Sequence, residues 1–171
     1  MEGGPLDPTS DRPEVRTARP GELPLLAAVE EAADGLFATL GMGPFPEASQ
    51  IDHLTGAVLV LVAGDPPVGF ASVGILDGAA HLRQLAVLPA QGGRGLGTAL
   101  VEAVAGWGRT HGLPAVTLTT FRDVPWNGPF YRSLGFRPLE KPGPELAAVR
   151  AQEIAVGEDA MGPRLAMWLE L

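Results

Sequence analysis

Residues Val87–Leu100 read VLPAQGGRGLGTAL, and this stretch decides how the rest of the chain is read. A short apolar run, Leu85-Ala86-Val87, reaches a proline at Pro89. Four glycines then fall within six positions, Gly92, Gly93, Gly95 and Gly97, and the loop runs directly into an amphipathic segment. Glycine is favoured where backbone must approach a ligand closely. Unpaired N–H groups at a helix start, together with the helix dipole, favour a phosphate there. Strand, glycine loop and helix in that order therefore predict a phosphate cradle.

Other phosphate loops fail on spacing. A P-loop ends in Gly-Lys-Ser/Thr, whereas Gly97 is followed by Thr98 and the only lysine is Lys141. A dinucleotide fingerprint needs Gly-x-Gly-x-x-Gly/Ala. Counted from Gly93 the third site is Thr98, and counted from Gly95 it is Leu100.

Working outward, the chain alternates strand and helix signals. Val15–Ala18 reads as a strand. Gly21–Leu40 has helical periodicity, with Leu25, Leu26, Val29, Ala33, Phe37 and Leu40 on one side. A short helix is expected over Ala48–Thr55. Ala57–Ala63 is a buried strand, Val68–Leu76 a second and Ala80–Val87 a third, with a tight turn at Asp77-Gly78. A helix of about 15 residues follows the glycine loop and stops at Gly112. Its apolar stripe is Leu96, Leu100, Ala103, Val104 and Trp107. Ala115–Phe121 is a strand, and Asn127 can cap a short helix closed by Gly135. Phe136 begins another strand, Leu146–Val156 is helical, and Leu165–Leu169 is the last strand. The order β-α-α-β-β-β-α-β-α-β-α-β predicts a mixed α/β domain over residues 14–171. Its central sheet should be mostly antiparallel, with six or seven strands, a βαβ crossover in the back half and helices on its flanks. Residues 1–13 read as a flexible tail.

A second motif lies downstream. Asn127–Phe136 reads NGPFYRSLGF. Together with the glycine loop it resembles the signatures of the GCN5-related N-acetyltransferase (GNAT) superfamily. The resemblance spans roughly Val15–Leu171. It implies a GNAT-like fold, acetyl-CoA as donor and an amine as acceptor, with direct attack in a ternary complex. It also implies site roles. Leu85, Ala86 and Val87 would line the pantetheine arm, and a backbone N–H near Val87 would meet the thioester oxygen. Gly92, Gly93, Arg94, Gly95, Leu96, Gly97 and Thr98 would cradle the pyrophosphate, with Arg132 near the 3′-phosphate and Asn127 on the arm. Tyr131, the only tyrosine, would protonate the leaving thiolate. Packing in the core is its plainer role.

Two positions depart from the family pattern. Gly92 stands where a Gln or Arg is usual, with Gln91 beside it. Arg83 stands where related sequences often carry a glutamate, and a guanidinium cannot act as a base. Candidates to deprotonate the amine are His81, Asp123, Glu30 and Glu31. His81 lies two residues before Arg83, so both should share a sheet face, and its ordinary pKa suits a base. A surface histidine at a hairpin edge is the alternative. His53 falls where this family gathers its acceptor site, and His111 reads as a structural helix-end residue.

Composition bounds the remainder. The chain has 171 residues, net charge −8 and no cysteine. Disulfides, thiolate metal sites and a cysteine acyl-enzyme are therefore excluded. The three histidines show no metal-ligand spacing, so no metal is expected. Net negative charge argues against nucleic acid. Residues 1–60 carry ten acidic side chains and three arginines, whereas residues 81–140 carry three acidic side chains and six arginines. A locally basic segment suits a polyanionic donor. There is no signal peptide or membrane span to read, so a cytoplasmic protein is expected. A small-molecule amine is favoured over a protein acceptor, and homodimerisation is left open. An acyl-CoA sensor with little turnover, or a lysine or N-terminal protein acetyltransferase, are the alternative functions.

Overall fold

The computed structural model describes residues 13–46 and 53–171. The expected tail therefore lies almost wholly outside the described residues, as does most of the expected helix over Ala48–Thr55, whose end is a bend and turn.

A seven-stranded mixed sheet organises the chain. In chain order the strands are β1 (Val15–Thr17), β2 (Leu59–Ala63), β3 (Gly69–Leu76), β4 (Ala79–Val87), β5 (Ala115–Phe121), β6 (Arg137–Pro138) and β7 (Arg164–Glu170). The spatial order is β1-β2-β3-β4-β5-β7-β6, and every pairing is antiparallel except β4 with β5. The strand expected from Phe136 shrinks to two exposed residues because it pairs only with β7 at the sheet edge.

Among the described residues four α-helices flank the sheet: α1 (Leu23–Asp34), α2 (Leu96–Thr110), α3 (Gly128–Ser133) and α4 (Pro144–Ala155). The long helix expected over Gly21–Leu40 divides, since Gly35–Leu40 tightens to a 3-10 helix that ends at Gly41 with φ 69°. α2 covers one sheet face. Its buried Leu96, Leu100, Val101 and Val104 pack with Leu61, Val73, Leu82, Val116, Leu118 and Met167. α1 covers the other face, setting Leu26 and Val29 against Val62, Phe70 and Ala86. α4 lies on that same face, because its Glu153 bonds Thr119, which alternates with the core residue Leu118.

Two irregularities shape the centre. The first is the parallel pair β4–β5, which holds only at Ala80–Val116 and His81–Thr117. Beyond that rung the strands separate, and the far edge of β4 loses its sheet neighbour. The second is a bulge. Ser72 opposes Gln84 while Val73 opposes Leu82, so Arg83 is the extra residue. A bulge reverses side-chain parity. Ala80 and Leu82 join the α2 core before it, and Leu85 and Val87 do so after it. Gln84 and Ala86 consequently turn toward α1.

The hairpin turn at Asp77-Gly78 also anchors α4. Asp77 Oδ1 and Oδ2 accept from the Glu145 and Leu146 N–H groups at 3.0 and 2.9 Å, and the Asp77 N–H donates to the Glu145 carboxylate. This reciprocal cap serves N–H groups that the helix itself leaves unpaired.

Candidate active site

The separation of β4 and β5 opens a cleft of about 1760 Å³ that runs from the glycine loop to the space between α1 and α4. Its first end is a backbone cradle. Gly93 and Gly95 have φ of 74° and 77°, a region that disfavours other residues. The first α2 hydrogen bond runs from the Ala99 N–H to the Gly95 carbonyl at 2.9 Å. The N–H groups of Leu96, Gly97 and Thr98 therefore have no acceptor within the helix. Gly97 also permits close packing, since a Cβ there would meet the Phe130 ring at 3.4 Å. Gly92 has an ordinary φ of −63°, so its place in the loop is not a conformational requirement.

The middle of the cleft lies between the free edge of β4 and α3. The Leu88 N–H donates to the Val68 carbonyl, back toward β3, at 2.8 Å. N–H groups alternate along a strand, so those of Val87 and Leu85 face the open side. Opposite them stand Asn127, Phe130 and Tyr131. Asn127 holds the N-cap position of α3, but its side chain makes no cap bond. The cap expected of it is therefore made by backbone alone, and the carboxamide is left toward the cleft. α3 sits tightly under this wall, because a Cβ on Gly128 would lie 2.3 Å from the Arg122 carbonyl oxygen. That glycine belongs to the site's scaffold, and only the close approach identifies it.

Tyr131 is 7% exposed. Its ring packs edge-on to Phe130 and Phe136 at centroid distances of 5.1 and 5.5 Å. No hydrogen bond engages its hydroxyl, and no sealed side-chain polar atom among the described residues lacks a partner. The hydroxyl thus opens on the cleft, and burial pushes its pKa up, keeping it protonated. Tyr131 packs in the core and at the same time presents to the cleft a protonated hydroxyl, one that burial makes a weaker acid.

His81 is neither at the surface nor loosely held. It is 5% exposed, and its Nδ1 lies 3.0 Å from Thr117 Oγ1. Burial lowers its pKa to about 4, so it is neutral at pH 7 and a weak proton acceptor. Arg83 lines the cleft and donates to the Thr55 carbonyl at 2.9 Å. Glu30 accepts from Gln84 Nε2 at 2.8 Å and lies 3.8 Å from His53 Nε2. Glu30, Glu31 and His53 all line the cleft.

Three expected contributors stand elsewhere. Arg94 borders a separate shallow depression with Glu14, Arg16 and Arg19. Arg132 is exposed outside the cleft lining, near the Arg122 carbonyl at 3.4 Å. Asp123 is exposed and paired with Arg122 at 2.9 Å. None of the three lines the cleft, although Arg94 shares its depression with Gln91 and Leu96, which do. His111 stacks on Trp107, with Nδ1 2.8 Å from the Trp107 carbonyl oxygen. Among the described residues no His, Cys, Asp or Glu group could hold a metal ion.

The far end carries features that the motifs did not indicate. Phe37, Phe45, Phe121 and Trp126 form one aromatic wall, with ring centroids 5.1–6.3 Å apart. Across from it, Glu153 is buried among Arg150, Arg164 and Thr119. These residues are far apart in sequence, and only their meeting in space reveals them.

The family model for the acetyltransferase (GNAT) family matches residues 25–136. The chain belongs to the GNAT acetyltransferase family. Solved structures agree in fold. A GCN5-related N-acetyltransferase from Rhodopseudomonas palustris superposes with TM-score 0.66 at 22% identity, over 93% of this chain and 96% of that one. The PaiA N-acetyltransferase from Thermoplasma acidophilum, in complex with coenzyme A, gives TM-score 0.66 at 16% identity, over 92% and 98%. A GNAT family acetyltransferase from Brucella melitensis, in complex with acetyl-CoA, gives TM-score 0.56 at 26% identity, over 74% and 84%.

Proposed function

We propose that this chain transfers the acetyl group of acetyl-CoA to a primary amine by direct attack. The observation that carries the reading is one continuous cleft. It joins the N–H cradle at Gly93–Thr98, the unpaired edge of β4 at Leu85–Val87 and the inward hydroxyl of Tyr131. The residues present fit the donor. The cradle suits a pyrophosphate. The open β4 edge suits an amide-bearing arm that pairs as an added strand would. Asn127 offers a carboxamide to that arm.

Acetyl-CoA supplies an activated acetyl thioester, and the chain's groups act on it as follows. The Val87 N–H stabilises negative charge on the thioester oxygen as the amine approaches. Tyr131 gives its proton to the departing sulfur. Glu30, held by Gln84, takes the proton that the amine releases, in preference to the buried His81 and the outward Asp123. A new N–C bond replaces the C–S bond. An amine that enters as ammonium sheds one proton to solvent in the cleft before it attacks and a second to Glu30 afterwards; solvent returns one proton to Tyr131 and takes one from Glu30, for a net release of one proton. The products are an acetamide and free coenzyme A.

The sensor reading keeps one specific support, Arg83 in place of an acid on β4. Calorimetric titration with acetyl-CoA and with coenzyme A, followed by an amine screen that reads thiol release, separates the two. Micromolar binding with amine-dependent thiol release is the expected result. Tight binding with no release from any amine makes the protein a sensor. No binding removes the donor assignment. No helix among the described residues is long and apolar enough to cross a membrane. We assign the work to the cytoplasm, on a small amine, by the single domain over residues 14–171.

A further inference from the structure

We infer that the acceptor is an arylalkyl primary amine without a carboxylate, read by Asp34 and by Phe45 and Trp126, the two half-buried rings of the aromatic wall. This inference rests on the donor assignment above. Its grounds lie at the opposite end of the cleft from the glycine loop.

Asp34 closes α1, four residues after Glu30 and three before Phe37, so the three share one helical face. Its carboxylate is half-buried, lines the cleft and makes no hydrogen bond or ion pair with any described residue. A carboxylate withdrawn from water without a partner is costly, and burial pushes its pKa up to about 6. It remains mostly ionised at pH 7 and is well placed to take a cation.

The charge balance of the cleft points the same way. Five carboxylates line it, from Glu30, Glu31, Asp34, Glu153 and Glu158, against two guanidiniums, from Arg83 and Arg164. Both guanidiniums have work already. Arg164 binds Glu153 and Glu158 at 3.3 Å each, and Arg83 donates to the Thr55 carbonyl. A carboxylate on the acceptor would enter a negative site whose cations are engaged, whereas an ammonium is drawn in.

The wall supplies the second half of the specificity. Phe37 touches Phe45, Phe121 and Trp126 at 5.1, 5.6 and 5.4 Å. Phe45 and Trp126 are half-buried and line the cleft. Such edges and faces take an aromatic ring in offset or edge-on contact. Arg164 already stacks on Phe121 at 4.5 Å, which leaves Phe45 and Trp126 as the rings that meet the ligand.

The experiment compares initial rates for phenethylamine, phenylalanine and butylamine at saturating acetyl-CoA, with the acetyl-CoA Kd measured separately by calorimetry. Phenethylamine is expected to exceed both others in kcat/KM by about tenfold or more. Asp34→Asn should raise its KM about tenfold with kcat and the acetyl-CoA Kd unchanged, and Phe45→Ala should raise it for phenethylamine but not for butylamine. An unchanged acetyl-CoA Kd also shows that each variant is folded. If acetyl-CoA binds and phenylalanine or butylamine matches phenethylamine, this inference is overturned and the donor assignment stands. If acetyl-CoA does not bind, both fall together. An Asp34→Asn variant with wild-type KM overturns the role of Asp34.

Discussion

His81 Nδ1 sits 3.0 Å from Thr117 Oγ1 across the last rung that joins β4 to β5. One residue further on the strands part and the cleft begins. A histidine on this face suggested a base, yet its place is the apex of the opening, where its hydrogen bond pins the two strands together.

This location makes an acid-stability prediction. Burial holds the folded pKa at about 4 against an ordinary 6.5; Arg83 and His53 act in the same direction, and together they outweigh Glu153 and Asp77, which raise it. The unfolded chain therefore binds the proton first as pH falls. This contribution leaves stability intact above pH 6.5, erodes it between 6.5 and 4 and changes little below 4. Wild type should lose on the order of 3 kcal/mol more than His81→Gln across that window. Urea unfolding at pH 7, 5.5 and 4 measures the difference, and parallel losses in both proteins would refute it.

Tyr131→Phe should lower turnover by on the order of 10² while leaving acetyl-CoA affinity near wild type. The ring stays packed against Phe130 and Phe136, so only the hydroxyl is lost. Steady-state thiol release paired with calorimetry tests this, and an unchanged rate would remove the acid role.

Gly95→Glu should abolish acetyl-CoA binding and leave a folded protein. The substitution puts a negative side chain in the cradle at a backbone φ of 77°. Its backbone cost is about 1–2 kcal/mol, which a domain of this size withstands. Gly106→Ala makes the control, since it lies inside α2 and an added Cβ there would meet nothing within 4 Å, so binding should persist.

Gly128→Ala should destabilise the fold by about 3 kcal/mol. No conformational penalty is involved. The added Cβ would lie 2.3 Å from the Arg122 carbonyl oxygen, so α3 must move, carrying Tyr131 with it. Thermal unfolding and turnover should fall together, and a variant as stable as wild type would show that α3 is loosely seated.

Asp77→Ala should cost about 2 kcal/mol, the upper range for a helix cap. Two N–H groups at the start of α4 lose their acceptor. Because α4 forms one wall of the acceptor end, KM for the amine should rise more than the acetyl-CoA Kd. Equal effects on both would argue against this placement of α4.

Much of this was legible in the chain itself. β5 falls at Ala115–Phe121 as periodicity predicts, and α2 runs the expected 15 residues from Leu96 to Thr110. Local chemistry governs both, through a run of apolar and β-branched residues in one and glycine stops around an apolar stripe in the other. Tyr131 and the glycine loop were legible for the same reason, since a motif only has to be read along the backbone. The parity of β4 was not. One extra residue at Arg83 sends Gln84 and Ala86 toward α1, and no local signal announces which strand position will bulge. Nor does spacing say that Arg94, Asp123 and Arg132 stand outside the cleft lining.

Sequence by itself determined the fold class and the family, and it supplied the motifs on which the proposed donor cradle and acid rest. Each depends on contiguous residues whose spacing carries its own physical meaning. Tertiary structure decided the burial of His81, the place of Arg83 and, among the described residues, the lack of a partner for Asp34. It also decided the wall built from Phe37, Phe45, Phe121 and Trp126. Burial, desolvation and ring contact exist only between residues that folding brings together, and these lie up to 89 positions apart (126 − 37).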